Sequence, residues 1–192
     1  MDHPIVMILG WRSGTSSLTK KLYEEGFPVT PPLDLRPMEG HQPEGHYENP
    51  QVYQINEALL KHFNMSVFQP GLLPFVNADV VEKWLGEHPE PIIVKDPRFA
   101  FTWPVWTSST RRPCIFVWTD RETASQVASI VRWYEVPEEA AASCVRMHDL
   151  CADLACQAHA SLRLDMLEEE RDERGTAFIA EFVGRDSPDS SE

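Results

Sequence analysis

A glycine-rich segment near the N-terminus has the residue types that bind an anion. It reads Gly10-Trp11-Arg12-Ser13-Gly14-Thr15-Ser16-Ser17, and it lies between an apolar run and a helical pattern. In that position, the backbone N–H groups of the turn and of the helix start point into one concavity. The arginine and the hydroxyls can donate further hydrogen bonds to a phosphate or sulfate. The simpler alternative is a strand-to-helix turn with a capping hydroxyl, but a cap needs fewer donors than this segment carries.

The spacing of this segment differs from that of the phosphate-binding loop of nucleoside triphosphatases. That loop needs Gly-x4-Gly-Lys-Ser/Thr, in which the lysine reaches the terminal phosphates and the hydroxyl holds Mg²⁺. Here the glycines stand at positions 10 and 14, and no lysine follows the second. Arg12, inside the loop, supplies the cation instead.

Cationic side chains recur wherever an apolar run ends. Lys95 and Arg98 stand at and after the run 91–95, and Arg121 follows the run 114–118. If these runs are parallel strands, their carboxyl ends meet at one edge of a sheet, where ligands bind. Together with Arg12, they would place four cations at one edge of a chain whose net charge is −13. This concentration of positive charge predicts an anionic ligand.

The glycine-rich segment resembles the 5′-phosphosulfate loop of sulfotransferases that use 3′-phosphoadenosine 5′-phosphosulfate (PAPS) as donor. The resemblance implies that Arg12 contacts the 5′-phosphate and the sulfuryl oxygens. It also implies that the following four residues belong to the donor site. These residues are Ser13, Gly14, Thr15 and Ser16.

A second resemblance to the same family lies at Arg121-x7-Ser129, after the third apolar run. In the family, an arginine and a serine at this spacing hold the 3′-phosphate of the nucleotide. Ser129 lies about two helical turns beyond Arg121, so both can face one pocket. The family often has Arg-Asp-Pro where this chain has Arg121-Glu122-Thr123, and an alternative register puts Thr119 at the arginine position.

The segment Lys95-Asp96-Pro97-Arg98 also resembles a stretch of many such sulfotransferases. The resemblance implies that Lys95 lies near the bridging oxygen or the leaving group. Asp96 would orient either Lys95 or Arg98. A plain salt bridge at the end of a strand is an equal alternative for Asp96 and Arg98.

The segment Gly45-His46-Tyr47-Glu48-Asn49 resembles the Gly-aromatic-Glu stretch before a helix in this family. We expect Glu48 to be the general base for an acceptor hydroxyl, with a pKa raised by its site. His46 and Glu44 are alternatives. Glu48 could equally serve only to favour the dipole of the helix that follows.

The periodicity of apolar residues places these motifs between strands and helices of an α/β fold. The expected architecture has three layers, a mainly parallel sheet flanked by helices, and the resemblance implies a P-loop NTPase-like sulfotransferase fold. We predict one domain over residues 1–184 and a disordered acidic tail over 185–192. The predicted strands are 4–9, 91–95, 114–118 and 162–164. The predicted helices are 15–25, 50–62, 77–86 with Asn77 as N-cap, 122–134, 137–161 beginning at Pro137, and 176–183.

The composition excludes several other classes of protein. Hydrophobic residues make up 42% and charged residues 24%, as in ordinary globular proteins. The strong negative charge argues against nucleic acid and against an anionic membrane as partners. With no apparent secretory signal, we expect a cytoplasmic protein with reduced cysteines. Acidic residues 168–173 should form a solvated face.

Three residues of metal-binding types lie on one face of the helix predicted over 137–161. They are Cys144, His148 and Cys151. The same face carries alanines, so a buried stripe is the better interpretation than a metal site. Five tryptophans are mostly core residues, and one of them could stack on adenine. They are Trp84, Trp103, Trp106, Trp118 and Trp133.

Together these features predict a sulfotransferase that moves the sulfuryl group of PAPS to a hydroxyl of a small molecule or carbohydrate. Glu48 would take the acceptor proton, while Arg12 and Lys95 stabilise the developing negative charge. No metal ion is expected. A nucleotide kinase or nucleoside triphosphatase of related fold, with Asp96 or Asp120 on Mg²⁺, is one alternative. A non-catalytic nucleotide-binding relative is another.

Overall fold

The computed structural model describes residues 3–33, 46–165 and 170–184. The predicted tail 185–192 and the candidate base Glu44 lie outside the described residues. The strands are β1 (Ile5–Leu9), β2 (Ile92–Lys95), β3 (Cys114–Asp120) and β4 (Ala160–Asp165). The helices are α1 (Thr15–Glu24), α2 (Pro50–His62), α3 (Asp79–Glu87), α4 (Phe99–Ser108), α5 (Thr123–Tyr134), α6 (Glu138–Ala158) and α7 (Arg171–Val183).

The four strands form one parallel sheet in the order β2-β1-β3-β4. Strand β1 is central, and all five of its residues are buried, because it is covered on both faces and paired on both sides. In this register Ile8 lies beside Lys95, and Leu9 lies beside Trp118. The segments that follow β1, β2 and β3 therefore leave from the same edge of the sheet.

Alternate side chains of β1 enter two different cores. Val6 and Ile8 pack with Leu18 of α1 and Ile179 of α7. Met7 lies on the opposite face, in the larger core that includes residues of α2, α3, α4 and α6. The predicted three-layer α/β architecture with a parallel sheet is confirmed.

Helix α4 was not predicted from the sequence. Its residues from Phe99 to Trp106 are all buried, and Pro104 lies within it. A helix that is apolar on every side lacks the alternation of apolar and polar residues that identifies an amphipathic helix, and an internal proline argues against a helix. The sequence pattern therefore did not predict α4. The backbone N–H of Arg98 donates to the Asp96 carboxylate (2.8 Å), which helps to turn the chain from β2 into α4.

Several predicted boundaries were wrong. Helix α3 begins at Asp79 after Ala78, and no side chain caps it, so Asn77 is not its N-cap. Pro137 precedes α6 as its N-cap residue instead of lying in the first turn. The predicted end of this helix belongs instead to β4, in which Ser161 pairs with Phe116. Helix α7 begins at Arg171, five residues before the predicted position.

Two asparagines hold α2, which borders the site described below. The side-chain oxygen of Asn49 accepts hydrogen bonds from the first turn of α2, and its amide donates to the carbonyl of Thr30 (3.2 Å). The side-chain oxygen of Asn56 accepts from the hydroxyl of Thr102 and from the indole N–H of Trp106, both at 2.8 Å. Asn56 is fully buried, so it joins α2 to α4 inside the core.

None of the described helices is both long and apolar enough to cross a membrane.

Replacing Asn56 by alanine should lower the free energy of unfolding by about 2 kcal/mol, because the buried indole N–H of Trp106 loses its acceptor, whereas the Thr102 hydroxyl keeps the Arg98 carbonyl as a second acceptor. Urea denaturation of Asn56→Ala beside the wild type measures this difference. Asn77→Ala is the matched control: Asn77 is exposed and caps no helix, so its effect should stay within about 0.5 kcal/mol. Equal losses in the two variants would contradict the assigned role of Asn56.

Candidate functional site

The glycine-rich segment follows β1 and leads into α1, as predicted. Gly10 has a φ of 138°, and a Cβ there would lie 2.5 Å from both the Ser13 hydroxyl and the Thr119 carbonyl oxygen. Gly14 has a φ of 84° and is the N-cap of α1. Both positions therefore require glycine, and the loop closes tightly over the end of the sheet.

This loop bounds a cavity of about 470 Å³ at the carboxyl edge of the sheet. Lys95 and Arg98 line it from β2 and the segment that follows, and His46 and Glu48 line it from the segment before α2. Its other walls are largely apolar and aromatic. The sequence-predicted residues Arg12, Ser13, Gly14, Thr15, Ser16, Glu48 and Lys95 all border the cavity.

Arg12 connects the loop with the residues after β3. It adopts a φ of 57°, and its Nε donates to the hydroxyl of Ser129 at 2.8 Å. Burial lowers the pKa of Arg12, and the charge of Arg121 lowers it further, against the opposing effect of Tyr134. An arginine nevertheless remains a cation at neutral pH.

Arg121 and Ser129 meet at Arg12. Nη1 of Arg121 donates to the backbone carbonyl of Arg12 at 3.5 Å, whereas Ser129 accepts from the Arg12 side chain. Thr119, the alternative to Arg121, is buried and bonded through its hydroxyl to Ser13 (2.9 Å). Within the described part of the chain, neither Arg121 nor Ser129 lines the cavity itself.

Lys95 and Glu48 form a largely buried ion pair. The Lys95 Nζ lies 2.8 Å from Glu48 Oε1, and it also donates to the Ser16 hydroxyl (3.2 Å) and to the His46 carbonyl (3.0 Å). The Lys95 side chain is only 4% exposed. The lysine thus joins the glycine-rich loop to the segment that carries Glu48.

The pKa of Glu48 is shifted in the opposite direction from the prediction. Burial by itself would raise this pKa, but the charges of Lys95, Arg98 and His46, with the hydrogen bond from Lys95, lower it overall. The expectation of a raised pKa was wrong because the motif did not reveal that Lys95 contacts the carboxylate directly. Glu48 is therefore ionised at neutral pH, and its assignment as a base stays a prediction.

Arg98 is neutralised by two carboxylates. Its guanidinium contacts Glu57 and lies 3.0 Å from Asp96 Oδ1. It also lies 4.1 Å from the ring centre of Tyr53. Asp96 pairs with Arg98 and not with Lys95, so the salt-bridge interpretation holds for this pair. Burial raises the pKa of Asp96, although the contacts from Arg98 oppose this rise.

Sequence reasoning missed Arg171, at the start of α7. This arginine is buried, and a Cβ on Gly14 would lie 2.3 Å from its Nη1. Its neighbour Asp172 accepts a hydrogen bond from the Ser17 hydroxyl at 2.7 Å. In the acidic run 168–173, which had suggested a solvated face, Glu170 and Glu173 are exposed as expected, and residues 168–169 lie outside the described residues. Arg171 and Asp172 instead contact the glycine-rich loop and α1. The feature of the sequence that could have indicated this contact was the single arginine, Arg171, within that acidic run.

The stripe on α6 is a buried apolar face, as predicted. Cys144, His148 and Cys151 are all buried, and burial raises the pKa of the Cys144 thiol to about 12. All four cysteines are free thiols. Among the described residues, no group of histidine, cysteine, aspartate or glutamate could hold a metal ion.

The tryptophans divide between the core and the cavity. Four of the five singled out in the sequence are buried: Trp84, Trp103, Trp106 and Trp118. Trp133 lines the cavity with Trp11, and the Arg12 guanidinium lies 6.0 Å from the Trp133 ring centre.

The chain was compared with known families and structures. No family model and no curated protein matches it. Among solved structures, the sulfotransferase domain of the olefin synthase from Synechococcus PCC 7002 aligns with a TM-score of 0.56 and 17% identity, over 96% of this chain and 74% of that one. Deoxyadenosine kinase from M. mycoides with bound dATP aligns with a TM-score of 0.48 and 12% identity, over 94% of this chain and 99% of the kinase. The chain thus has a sulfotransferase-like fold.

The Glu48–Lys95 pair should make stability depend on pH. The pKa of Glu48 in the folded protein lies below its ordinary value of 4.5. The pair therefore stabilises the fold fully above pH 4.5, and this contribution is lost as the pH falls through the folded-state pKa. Glu48→Gln should cost about 3 kcal/mol at neutral pH, because it leaves Lys95 buried without its partner. The difference from wild type should shrink below pH 4.5.

Urea midpoints measured at neutral and acidic pH test this dependence. Glu87→Gln is the control, since the ion pair of Glu87 with Lys83 is exposed, with 4.0 Å between Nζ and Oε1, and should contribute little at either pH. A difference between wild type and Glu48→Gln that stays constant or grows on acidification would contradict the role assigned to the pair.

Proposed function

We propose that the protein is a sulfotransferase that transfers the sulfuryl group of PAPS to a hydroxyl group. The observation that carries this proposal is the junction at Arg12. This arginine sits in a glycine-bounded loop at the carboxyl edge of the sheet and contacts both Ser129 and Arg121. The groups expected for the 5′ end of the donor thus lie next to those expected for its 3′-phosphate.

The described residues fit an anionic nucleotide. Gly14 is the N-cap of α1, and the N–H groups at the start of this helix favour negative charge. The Ser13 hydroxyl is engaged with Thr119, so Ser13 would contribute its backbone N–H while its side chain shapes the loop. Ser16 borders the cavity and already contacts Lys95, which suits a role at the sulfuryl end.

In the proposed reaction, Glu48 accepts the proton of the acceptor hydroxyl. A bond forms between the acceptor oxygen and sulfur as the bond between sulfur and the bridging oxygen breaks. Adenosine 3′,5′-bisphosphate leaves with the bonding electron pair. Lys95 and Arg12 stabilise the negative charge that develops on the bridging oxygen, and their fixed positions avoid the cost of reorganisation. The ion pair with Lys95 keeps Glu48 ionised and ready to accept the proton.

Calorimetric titration with adenosine 3′,5′-bisphosphate tests the donor site directly. The matched ligand is adenosine 5′-phosphate, which lacks only the 3′-phosphate. We expect the bisphosphate to bind more tightly, with or without Mg²⁺. Tighter binding of ATP that requires Mg²⁺ would instead support a kinase. If none of these nucleotides binds, the proposal is refuted.

Two arginine substitutions separate the two ends of the donor. Arg12→Ala should abolish sulfuryl transfer and weaken both adenosine ligands, since it removes the cation of the loop. Arg121→Ala should weaken the bisphosphate about 10- to 100-fold, as expected for one charged contact, with a much smaller effect on adenosine 5′-phosphate. Circular dichroism checks that both variants fold. Wild-type transfer by folded Arg12→Ala would exclude the proposed mechanism.

A further inference from the structure

The wall of the cavity around Glu48 indicates the chemistry of the acceptor. We infer that the acceptor is an uncharged phenol, that is, a flat aromatic molecule with its hydroxyl on the ring. The inference rests on the proposed function, because it concerns the second substrate of that reaction. Three independent properties of the wall support it: its apolar surface, its compensated charges and its scarcity of amide groups.

The surface close to Glu48 along the chain is apolar and partly aromatic. Pro50 and Tyr53, on the first turns of α2, line the cavity just after Glu48. Pro97 and Phe101 line it just after Lys95. Such a surface gains free energy by covering a flat apolar molecule, which a polyhydroxylated sugar is not.

The charges on this wall already have partners. Glu48 is paired with Lys95, and Arg98 is paired with both Asp96 and Glu57. An ionised acceptor would have to displace one of these contacts in order to be neutralised. An uncharged acceptor leaves all of them in place.

Pro50, Tyr53, Pro97 and Phe101, the part of the wall next to Glu48 and Lys95 along the chain, offer a single polar side-chain group, the Tyr53 hydroxyl, whereas the hydroxyls of the glycine-rich loop line another part of the cavity. Among the described residues that line the cavity, Gln54 is the single side-chain amide. A sugar presents several hydroxyls, and each one that is buried without a partner is unfavourable. A phenol presents one hydroxyl, and the Glu48 carboxylate would accept the hydrogen bond that this hydroxyl donates.

The base strength of Glu48 agrees with this choice. Its pKa is lowered by Lys95 and the neighbouring charges despite burial, so it is a weak base. Proton transfer to a weak base is easier from an acidic hydroxyl. A phenol, with a pKa of about 10 in tyrosine, is much more acidic than an aliphatic alcohol.

An acceptor panel tests the inference. The protein with PAPS is assayed against 2-naphthol, N-acetylglucosamine and 1-octanol, and the sulfated products are identified by mass spectrometry. Binding of each acceptor to the complex with adenosine 3′,5′-bisphosphate is measured separately by calorimetry. We expect 2-naphthol to bind and to be sulfated in preference to the other two.

Adjacent substitutions on α2 locate the acceptor wall. Tyr53 is 41% exposed and lines the cavity, so its loss should spare the fold. Tyr53→Ala should raise the KM for 2-naphthol about 3- to 10-fold, with the affinity for the bisphosphate unchanged, and Tyr53→Phe should restore it because the ring returns. Gln54→Ala should have a smaller effect on this KM. Leu150→Ala is the matched control, because Leu150 is exposed and does not line the cavity, so this variant should leave the KM for 2-naphthol unchanged.

The outcomes distinguish the two proposals. If the bisphosphate fails to bind, the proposed function is refuted, and this inference falls with it. If the bisphosphate binds but N-acetylglucosamine or octanol is the preferred acceptor, or naphthol does not bind the complex, the acceptor inference alone is overturned. A larger effect from Gln54→Ala than from Tyr53→Ala would also overturn it, since it would indicate a hydrogen-bonded acceptor.

Discussion

The parallel pairing of β1 between β2 and β3 is the constraint on which the site depends. Strand β1 is buried on both faces and paired on both sides, so it has no room for polar side chains. The polar residues of the glycine-rich loop therefore begin only after the strand ends. The register aligns Ile8 with Lys95 and Leu9 with Trp118, so the three strands end close together. Segments far apart in the chain are thereby brought to one edge of the sheet, and with them the groups that face the cavity.

Within this edge, the positive charges differ in how they are compensated. Lys95 and Arg98 are paired with carboxylates, which offsets the unfavourable free energy of burying them. Arg12 instead donates to the neutral hydroxyl of Ser129, and burial lowers its pKa. The chain is strongly acidic overall, yet the loop combines an arginine with the positive end of a helix dipole. That combination suits an anionic ligand at this point of the surface.

Residues outside the sheet, on α7 and at α2, also hold the elements of the site in place. Arg171, Asp172 and their neighbours on α7 contact the glycine-rich loop and α1, although they lie far away in the chain. Asn49 and Asn56 hold α2 against its surroundings, which places Tyr53 and Pro50 at the cavity. Asn49, Asn56 and Arg171 are buried, whereas the hydrogen bond between Ser17 and Asp172 lies at the surface. Hydrogen bonds made by buried polar groups with defined partners help to fix the geometry of α2.

The sequence by itself determined the α/β class, the central strands and the loop between β1 and α1, because apolar runs and glycine positions follow from local rules. It also pointed to Arg12, Glu48, Lys95, Arg121 and Ser129 through motifs. The tertiary structure decided which of these charges meet. The Glu48–Lys95 pair joins residues 47 positions apart, and no local pattern reveals whether a buried carboxylate will have a cation beside it. The same holds for Arg171 on Gly14, and for α4, whose uniform burial removes the period that would have predicted it.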